Sequence, residues 1–241
     1  MIARFDLHVH SALSACAENV MSPRQVLVRA QAAGVNLLAL TDHNASGHVA
    51  LALRLAPEYG LCVVPGVEVT SKEDVHVLAL FRDEAACRDF QELIDGALPR
   101  AQNLPEVFGY QLLYDAADEI VDTDDRLRQV GTDLGLGRLV MEIHARRGFA
   151  IPAHVTRNRY SLTSQLGFVD PDGGYDAVEL ARNAWRREGH RLGERLAGYP
   201  VLTGSDAHFL EDVGRVALDV PGVPADVAAV MQALAACRAE P

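Results

Sequence analysis

The chain has 241 residues, of which 49% are hydrophobic and 23% are charged. This composition excludes disorder, collagen and coiled coil as descriptions of the whole chain, and the length is enough to bury a sizeable core. The 33 acidic and 22 basic residues give a net charge of -11, which argues against a nonspecific nucleic-acid-binding surface. Bound divalent cations would reverse the charge locally, so a phosphorylated ligand stays open.

The cysteines and apolar runs point to a reducing compartment and no membrane span. Four cysteines lie far apart in the sequence, which predicts free thiols rather than a disulfide framework. Apolar runs end at Pro or Gly long before the roughly 18 residues of a membrane-spanning helix. The first residues enter a strand-like run without a basic region and an apolar leader, so we expect a cytoplasmic protein.

Short apolar runs alternate with helical patterns over the first hundred residues. Strands are predicted at residues 2–9, 35–41, 61–69 and 75–81, and helices at residues 23–33, 45–59 and 83–98. Ser22 and Pro23 have the residue types of an N-cap and a first helical position, and Gly34 and Gly60 those of helix ends. Three strand–helix–strand units of this spacing predict parallel pairing with right-handed crossovers.

The alternation lapses over residues 103–134, which contain a predicted hairpin with strands at 110–114 and 119–122. We interpret this segment as an inserted cap or lid. Further helices are then predicted at 137–147, 183–197 and 225–239, and strands at 149–153, 176–180 and 201–204. About seven strand–helix units predict a single α/β domain over residues 1–241, built as a barrel of parallel strands.

Histidine and carboxylate residues gather at the predicted strand ends. His8 and His10 end the first strand, where a spacing of two residues puts their side chains on one face. The others are Asp42 and His43 after the second strand, Glu68 at the end of the third, His76 at the start of the fourth, His154 after a later strand, and Asp206 and His208 after another. Since strand carboxyl ends meet at one face of a barrel, we expect these side chains to converge.

This combination of side chains is typical of a metal site. Imidazole and carboxylate together suit zinc, iron or manganese, and a glutamate can bridge two ions. Fold stability does not explain why five separate strand ends each carry His, Asp or Glu, so a functional site is the better explanation. The remaining histidines and three of the cysteines fall within predicted helices or an apolar strand and are interpreted as surface or packing residues: His48, His144, His190, Cys62, Cys87 and Cys237.

The order and spacing of these motifs resemble those of the PHP family (polymerase and histidinol phosphatase). The motifs are His8-Val9-His10, Thr41-Asp42-His43-Asn44, Pro65-Gly66-Val67-Glu68 followed by His76, Ala153-His154, and Ser205-Asp206-Ala207-His208. The resemblance spans about residues 5–210. Within the family, the chain is most similar to a compact, stand-alone phosphoesterase subgroup. It implies a distorted (β/α)7 barrel with two or three divalent ions (Zn, Mn or Fe) at the C-terminal ends of the strands.

The resemblance also implies a set of ligands. His8, His10, Glu68 and Asp206 would hold a first ion, and Glu68 would bridge to a second held by His76 and His154. A third would be held by His43, His208 and one residue just after the first motif. There the chain departs from the family pattern, because Ser14-Ala15-Cys16 stands where many relatives have Ser-Asp-Gly and Ala15 has no ligand atom. Cys16 or Glu18 are the candidate substitutes.

The leading hypothesis is hydrolysis of a phosphomonoester of a small metabolite or nucleotide. Two cations sharing Glu68 would lower the pKa of a bridging water and give hydroxide near neutral pH. Arg157, with Arg159 as a weaker candidate, would bind the phosphate as a bidentate donor. Asp42 is expected to orient a ligand histidine rather than bind metal. His208 or a metal-bound water would protonate the leaving oxygen.

Three alternatives stay open. The first is an exonuclease or nucleotide bisphosphate phosphatase acting on nucleotides or short oligonucleotides, with no other nucleic-acid partner expected. The second is a metal-dependent amidohydrolase, although the only lysine, Lys72, lies outside the strand where that class carries its carboxylated lysine. The third is a non-catalytic metal-binding regulatory module.

Overall fold

The computed structural model describes residues 2–181, 196, 198–221 and 232. The strands are β1 Ile2–Val9, β2 Leu37–Leu40, β3 Cys62–Thr70, β4 His76–Leu80, β5 Leu112–Tyr114, β6 Ile120–Thr123, β7 Phe149–Pro152, β8 Val178–Leu180, β9 Val201–Thr203 and β10 Leu218–Pro221. The α-helices are α1 Pro23–Ala32, α2 Val49–Leu55, α3 Glu84–Ala97, α4 Pro105–Phe108, α5 Leu136–Ala145 and α6 Leu162–Gln165. The predicted helices at 183–197 and 225–239 lie almost wholly outside the described residues.

Local signals fix several helix ends as predicted. The Ser22 hydroxyl caps α1 by accepting from the backbone N–H of Gln25, with Pro23 at the first helical position. The short 3-10 helix Ala56–Tyr59 that follows α2 is capped by Gly60, whose φ of 65° is the left-handed conformation that glycine adopts most easily. Among the described residues, no helix combines the length and the apolar character needed to cross a bilayer.

Six strands form one mixed sheet in the order β10-β1-β2-β3-β4-β7, which curls into half a barrel. The pairs β1–β2 and β2–β3 are parallel, which confirms the prediction for the first two strand–helix–strand units. The pairs β3–β4 and β4–β7 are antiparallel, so the prediction of parallel pairing is wrong for these strands. The reason is the connection of five residues between β3 and β4, which is too short for a crossover.

The described strands do not form a complete (β/α)7 barrel. The strands β8 and β9 make a separate parallel pair. A backbone hydrogen bond from Val155 to Glu179 joins the segment after β7 to β8. An isolated bridge between Val9 and Ala207 brings the segment after β9 beside the end of β1. These links place the ends of β1, β7, β8 and β9 around a common opening.

The inner face of the curled sheet is apolar at one end and titratable at the other. Strand alternation puts Val64 and Glu68 of β3 on one face, and likewise Leu78 and His76 of β4. Val64 and Leu78 belong to the buried apolar cluster inside the sheet. Because β4 runs antiparallel to β3 and pairs His76 with Thr70, its first residue arrives where β3 ends. The antiparallel strand therefore brings His76 to Glu68.

The predicted hairpin is present as β5 and β6, with slightly shifted bounds. The segment that follows it returns to the main sheet. Thr132 donates to the carbonyl of Thr70 through both its backbone N–H and its hydroxyl. The side chain of Asn44 donates to the carbonyls of Arg128 and Val130 at 2.6 and 3.0 Å. Residues 128–132, called the strap below, are thus fixed beside the ends of β2 and β3.

Candidate metal centre

Glu68 lies at the centre of a group of five imidazoles. Its side chain is fully buried, and its two carboxylate oxygens face ring nitrogens on all sides. The distances to the nearest carboxylate oxygen are 2.9 Å for Nδ1 of His43 and of His76, and 3.3 Å for Nε2 of His8, His10 and His154. The fold therefore brings together the predicted residues of five separate chain segments.

Three overlapping sets of candidate ligand atoms lie within 4.8 Å of one another. The sets are His8, His10, Glu68 and Asp206; His43, Glu68 and His76; and His10, His43 and His208. The first is the set that the family resemblance implies for the first ion. The second set contains His43 together with Glu68 and His76, whereas the resemblance implies His154 as the third ligand of the second ion. His154 is nevertheless close, with its Nε2 3.3 Å from a Glu68 oxygen. All eight predicted ligands are thus assembled.

Several polar atoms in this cluster have no hydrogen-bond partner among the described residues. They are one oxygen of Glu68 and both ring nitrogens of His154, and all are buried. The nearby polar atoms lie at ion-pair distance but without hydrogen-bond geometry. An unpaired buried polar atom costs about 1–3 kcal/mol, so such atoms are rare unless something else satisfies them. Imidazole nitrogens and carboxylate oxygens that converge on one point are suited to divalent cations. The residues present therefore fit a metal centre.

The electrostatics of the cluster point the same way. Burial alone would raise the pKa of Glu68, but the neighbouring imidazoles of His76, His8 and His43 hold it well below its usual range. Burial disfavours the charged form of His10, yet hydrogen bonds with Asp206 and Glu68 raise its pKa to about 9. Two buried carboxylates thus demand compensating positive charge, which protons or metal ions can supply.

Burial has the opposite result at two other rings. It lowers the pKa of His76 to about 4 and, with the charge of His10, lowers that of His208 to about 3. The Nδ1 of His208 donates to the carbonyl of Asp206 at 2.9 Å. This leaves the Nε2 lone pair of the neutral ring free.

Glu179, which the sequence reasoning missed, orients His8. Its carboxylate oxygens lie 2.9 and 3.1 Å from Nδ1 of His8, so this nitrogen carries the proton and Nε2 is left to face Glu68. Glu179 also accepts from the backbone N–H of His154 at 3.0 Å. A Cβ on Gly204 would lie 2.6 Å from Glu179 and 2.8 Å from His8, so only glycine fits there. A lone carboxylate in the apolar run Ala177-Val178-Glu179-Leu180 was the available signal.

Asp42 acts on a second ligand through Ser14. The Ser14 hydroxyl donates to Asp42 at 2.7 Å and accepts from the backbone N–H of His43 at 3.1 Å. It also lies 3.0 Å from Nδ1 of His10, which therefore donates to it and turns Nε2 toward Glu68. Asp42 itself lies outside the ligand sets. This arrangement matches the predicted orienting role of Asp42.

His48 joins this network to the hairpin. The backbone N–H of Tyr114 in β5 donates to Nε2 of His48 at 2.9 Å, and Nδ1 of His48 lies 2.8 Å from the Ser11 hydroxyl. That hydroxyl donates to Asp42 at 2.6 Å. Burial lowers the pKa of His48, so the ring is neutral and its proton lies on Nδ1. The prediction of a surface or packing residue was incomplete, because His48 is buried and links the hairpin to Asp42 through the Ser11 hydroxyl.

Unusual backbone conformations turn two candidate ligands into the site. His154 and Asp206 have φ values of 34° and 49°, in the left-handed region that costs non-glycine residues free energy. His154 lies two residues after the end of β7 and Asp206 three residues after the end of β9. An extended backbone at these positions would point the side chains away from the cluster. Strain of this kind is often found at functional sites.

A cavity of about 420 Å³ opens above the cluster. Its walls come from six parts of the chain: Cys16, His43, Thr70, Asp74, His76, Gln129, Val130, Gly131, Arg157, Tyr160, Asp206 and His208. Arg157 is paired with Asp206, and its side chain is 46% exposed. Arg159 is exposed and does not line the cavity. The strap supplies one wall, so the inserted segment takes part in shaping the site.

The structure separates the two candidate substitutes at the third position. Ala15 is buried. The Glu18 carboxylate accepts from the backbone N–H of Leu210 at 3.1 Å. Cys16 is exposed and lines the cavity together with His43. Of the two, Cys16 has its side chain at the site.

The remaining residues behave largely as interpreted. His144 is exposed and pairs with Asp176 at 2.8 Å. Cys87 is buried in the core, and burial raises its thiol pKa to about 12. Cys62 packs partly buried against the inner cluster. His190 and Cys237 lie outside the described residues.

Comparisons with known proteins agree with the motifs. A family model described as PHP-associated matches residues 194–238. The chain is 36% identical to a 5'-3' exoribonuclease of Haemophilus influenzae, over 87% of this chain and 91% of the relative. It is 28% identical to a 3',5'-nucleoside bisphosphate phosphatase of Chromobacterium violaceum, over 90% of this chain and 82% of the relative.

The fold agrees as well. The structure of the lesion-specific endonuclease Q of Pyrococcus furiosus superposes with a TM-score of 0.74 at 18% identity. The match covers 98% of this chain but 56% of that longer chain, and at this identity it shows the fold alone. The sequence relatives carry the assignment further, because 36% identity extends over nearly the whole length of both proteins. The chain therefore belongs to the PHP (polymerase and histidinol phosphatase) family of metal-dependent phosphoesterases.

Proposed function

We propose that the chain hydrolyses a terminal phosphomonoester of a nucleotide or another small phosphorylated metabolite. The observation that carries the proposal is the position of Arg157, a partly exposed guanidinium beside Asp206 in the wall of the cavity. A phosphate placed there would meet a bidentate donor on one side and the His/Glu/Asp cluster on the other.

We assign the candidate ligands to two or three ions (Zn, Mn or Fe). His8, His10, Glu68 and Asp206 would hold the first, and Glu68, His76 and His154 the second, with His43 close by. His43, His208 and Cys16 would form a third site. When bound, such ions supply an acidified water as the nucleophile and neutralise charge that builds on the phosphate oxygens.

The protein groups around the ions then have distinct tasks. Arg157 would bind phosphate oxygens and hold the ester in line with the cluster. Glu179 and Ser14 fix which nitrogens of His8 and His10 face Glu68, so these rings need no reorganisation when an ion binds. A cavity of about 420 Å³ is within the roughly 300–1,000 Å³ range of small-molecule sites, which supports a small substrate.

A second candidate is exonucleolytic removal of nucleotides from a short oligonucleotide. The 36% identity to an exoribonuclease favours it. A nucleotide substrate is common to both candidates, since the other relative is named as a nucleoside bisphosphate phosphatase. The products separate them: phosphate release defines the first and mononucleotide release the second.

The test is phosphate and nucleotide release by protein of known metal content. We expect the purified protein to carry two or three equivalents of metal by elemental analysis and to release phosphate from nucleotides. Chelation should abolish the activity, and Mn, Fe or Zn should restore it. Fully loaded protein that is inactive on phosphomonoesters and short oligonucleotides would contradict the proposal. Hydrolysis of amides or lactams would then favour an amidohydrolase, and complete inactivity a regulatory module.

Arg157→Ala should raise the KM for phosphomonoesters by about 10- to 100-fold. A hydrogen bond to a charged group is worth about 1.5–3 kcal/mol, and each 1.4 kcal/mol is tenfold in affinity. Metal content should not change, because Arg157 touches Asp206 but is not a candidate ligand. The measurement is steady-state kinetics alongside elemental analysis.

Arg159→Ala is the matched control, since it removes the same charge from the same loop outside the cavity. Equal effects of the two substitutions on KM would mean that only the overall charge of the loop matters. The phosphate-binding assignment of Arg157 would then be wrong.

A further inference from the structure

Tyr160 presents an aromatic ring to the cavity beside the cluster. Its ring stacks on that of His76, with centroids 4.8 Å apart and planes inclined by 16°. The residue is 44% exposed and lines the cavity. Because His76 covers one face of the ring, the rest of its surface is available to a ligand that enters.

The backbone at Tyr160 fixes this ring in place. Its carbonyl accepts from the backbone N–H of His76 at 3.0 Å, and the next residue, Ser161, caps α6. Tyr160 has a φ of 56°, a left-handed conformation in which a bulky side chain is a true outlier. Glycine or asparagine would satisfy such a turn more easily. The aromatic side chain is therefore not what the turn requires, which suggests that it serves the cavity.

Gln129 adds a hydrogen-bonding group to the same cavity. It lies in the strap between Arg128 and Val130, whose carbonyls are both bound by Asn44. Its position is thus set by the hydrogen bonds on either side. Gln129 is half-buried and lines the cavity, and its side-chain amide makes no hydrogen bond to any described residue. An amide has one acceptor and one donor end, so it pairs with a neighbouring donor and acceptor on a ligand.

We propose that Tyr160 and Gln129 form a nucleobase subsite. The base would stack on Tyr160 while the Gln129 amide pairs with its polar edge, as glutamine does with adenine N6 and N7. The phosphate would lie toward Arg157 and the metal cluster. This inference rests on the proposed function, because it names the nucleotide as the substrate class of the same site. It distinguishes nucleotides from sugar phosphates, which have no flat aromatic ring.

The experiment compares adenosine 5'-monophosphate with ribose 5-phosphate, which differ by the base alone. With metal-loaded protein, the ratio of their kcat/KM values should favour the nucleotide by about tenfold or more. Tyr160→Leu should reduce this ratio by about tenfold, mainly through the KM for the nucleotide. Tyr160→Phe keeps the ring and should preserve the ratio, and Gln129→Ala should lower it. Tyr110→Leu, an exposed tyrosine outside the cavity, is the matched control.

Calorimetric titration separates failure of the subsite from failure of the hydrolase. If loaded protein hydrolyses neither compound, the proposed function fails, and the ratio of the two dissociation constants still tests the subsite. Equal affinities for the two compounds, or a ratio unchanged in Tyr160→Leu, would overturn the inference. Tyr160 would then be a structural cover for His76. Metal content and the unfolding temperature of each variant identify substitutions that act by disturbing the centre.

Discussion

Glu68→Gln should abolish metal binding and phosphoester hydrolysis together. Both carboxylate oxygens of Glu68 face imidazole nitrogens, and together they contact five of the candidate ligands. Glutamine keeps the shape but replaces one acceptor oxygen with a donor NH2 and removes the bridging charge. Metal ions contribute several kcal/mol to the transition state, and each 1.36 kcal/mol is tenfold in rate. We therefore expect kcat/KM to fall by at least about a thousandfold.

The measurements are metal content by elemental analysis and hydrolysis of a nucleotide. Glu92→Gln is the matched control, because Glu92 is exposed on α3 and the substitution changes the same atom and the same net charge. It should retain full metal content and activity. If Glu68→Gln protein still binds two equivalents of metal and hydrolyses the substrate within tenfold of the parent, Glu68 does not bridge the ions.

Most of the candidate site could be predicted from the sequence because it depends on strand ends. A strand that terminates in His-x-His or in a lone carboxylate directs those side chains to the rim of the sheet whatever the exact topology. This is why His8, His10 and Glu68 meet as expected. His76 reached the same place by a different route from the one predicted, since it begins an antiparallel strand. The convergence was correct although the reason was partly wrong.

The direction of β4 was the main error in the fold prediction. Composition and periodicity show that residues 75–81 are a buried strand, but they do not identify its partner or its direction. The short connection after Thr70 was the usable signal, because five residues cannot cross over a sheet. The prediction generalised from the two units before it, where helices of sufficient length do connect parallel strands.

The residues that orient the ligands could not be matched to their ligands from the sequence. Glu179 lies 171 residues from His8, and no periodic pattern links the two. Ser14 resembles any loop serine until the fold places it between His10 and Asp42. The left-handed conformations of His154 and Asp206 are likewise set by the surrounding structure. What the sequence lacked was therefore the shell of residues that orients the ligands.

Asp42→Asn tests that shell, and it should lower both the stability and the metal affinity. Asp42 is buried and accepts from three donors: the backbone N–H of Ser11 at 2.7 Å, the Ser11 hydroxyl at 2.6 Å and the Ser14 hydroxyl at 2.7 Å. An asparagine amide would turn an NH2 donor toward at least one of these groups and leave a buried donor unpaired. The free energy of unfolding should therefore fall by about 1–3 kcal/mol.

The expected loss of metal affinity follows from the position of the Ser14 hydroxyl between Asp42 and His10. If this hydroxyl no longer donates to residue 42, it has no fixed orientation in which to accept from His10, and Nε2 of that ring is less well directed at the ion. Losing a group that orients a ligand typically costs about 10- to 100-fold in metal affinity. Titration with metal and chemical denaturation of the metal-free protein measure the two effects separately. Asp122→Asn, at an exposed carboxylate in β6, is the control and should change neither.

Ser14→Ala distinguishes orientation from general weakening of the fold. It removes the acceptor for His10 but leaves the Ser11 hydroxyl bound to both Asp42 and His48, so the metal affinity should fall while stability changes less than in Asp42→Asn. If both variants lose stability and bind metal as tightly as the parent, Asp42 and Ser14 hold only the backbone after β1 and β2. In that case the orientation of His10 must come from Asp206, whose carboxylate lies 3.2 Å from its Nε2.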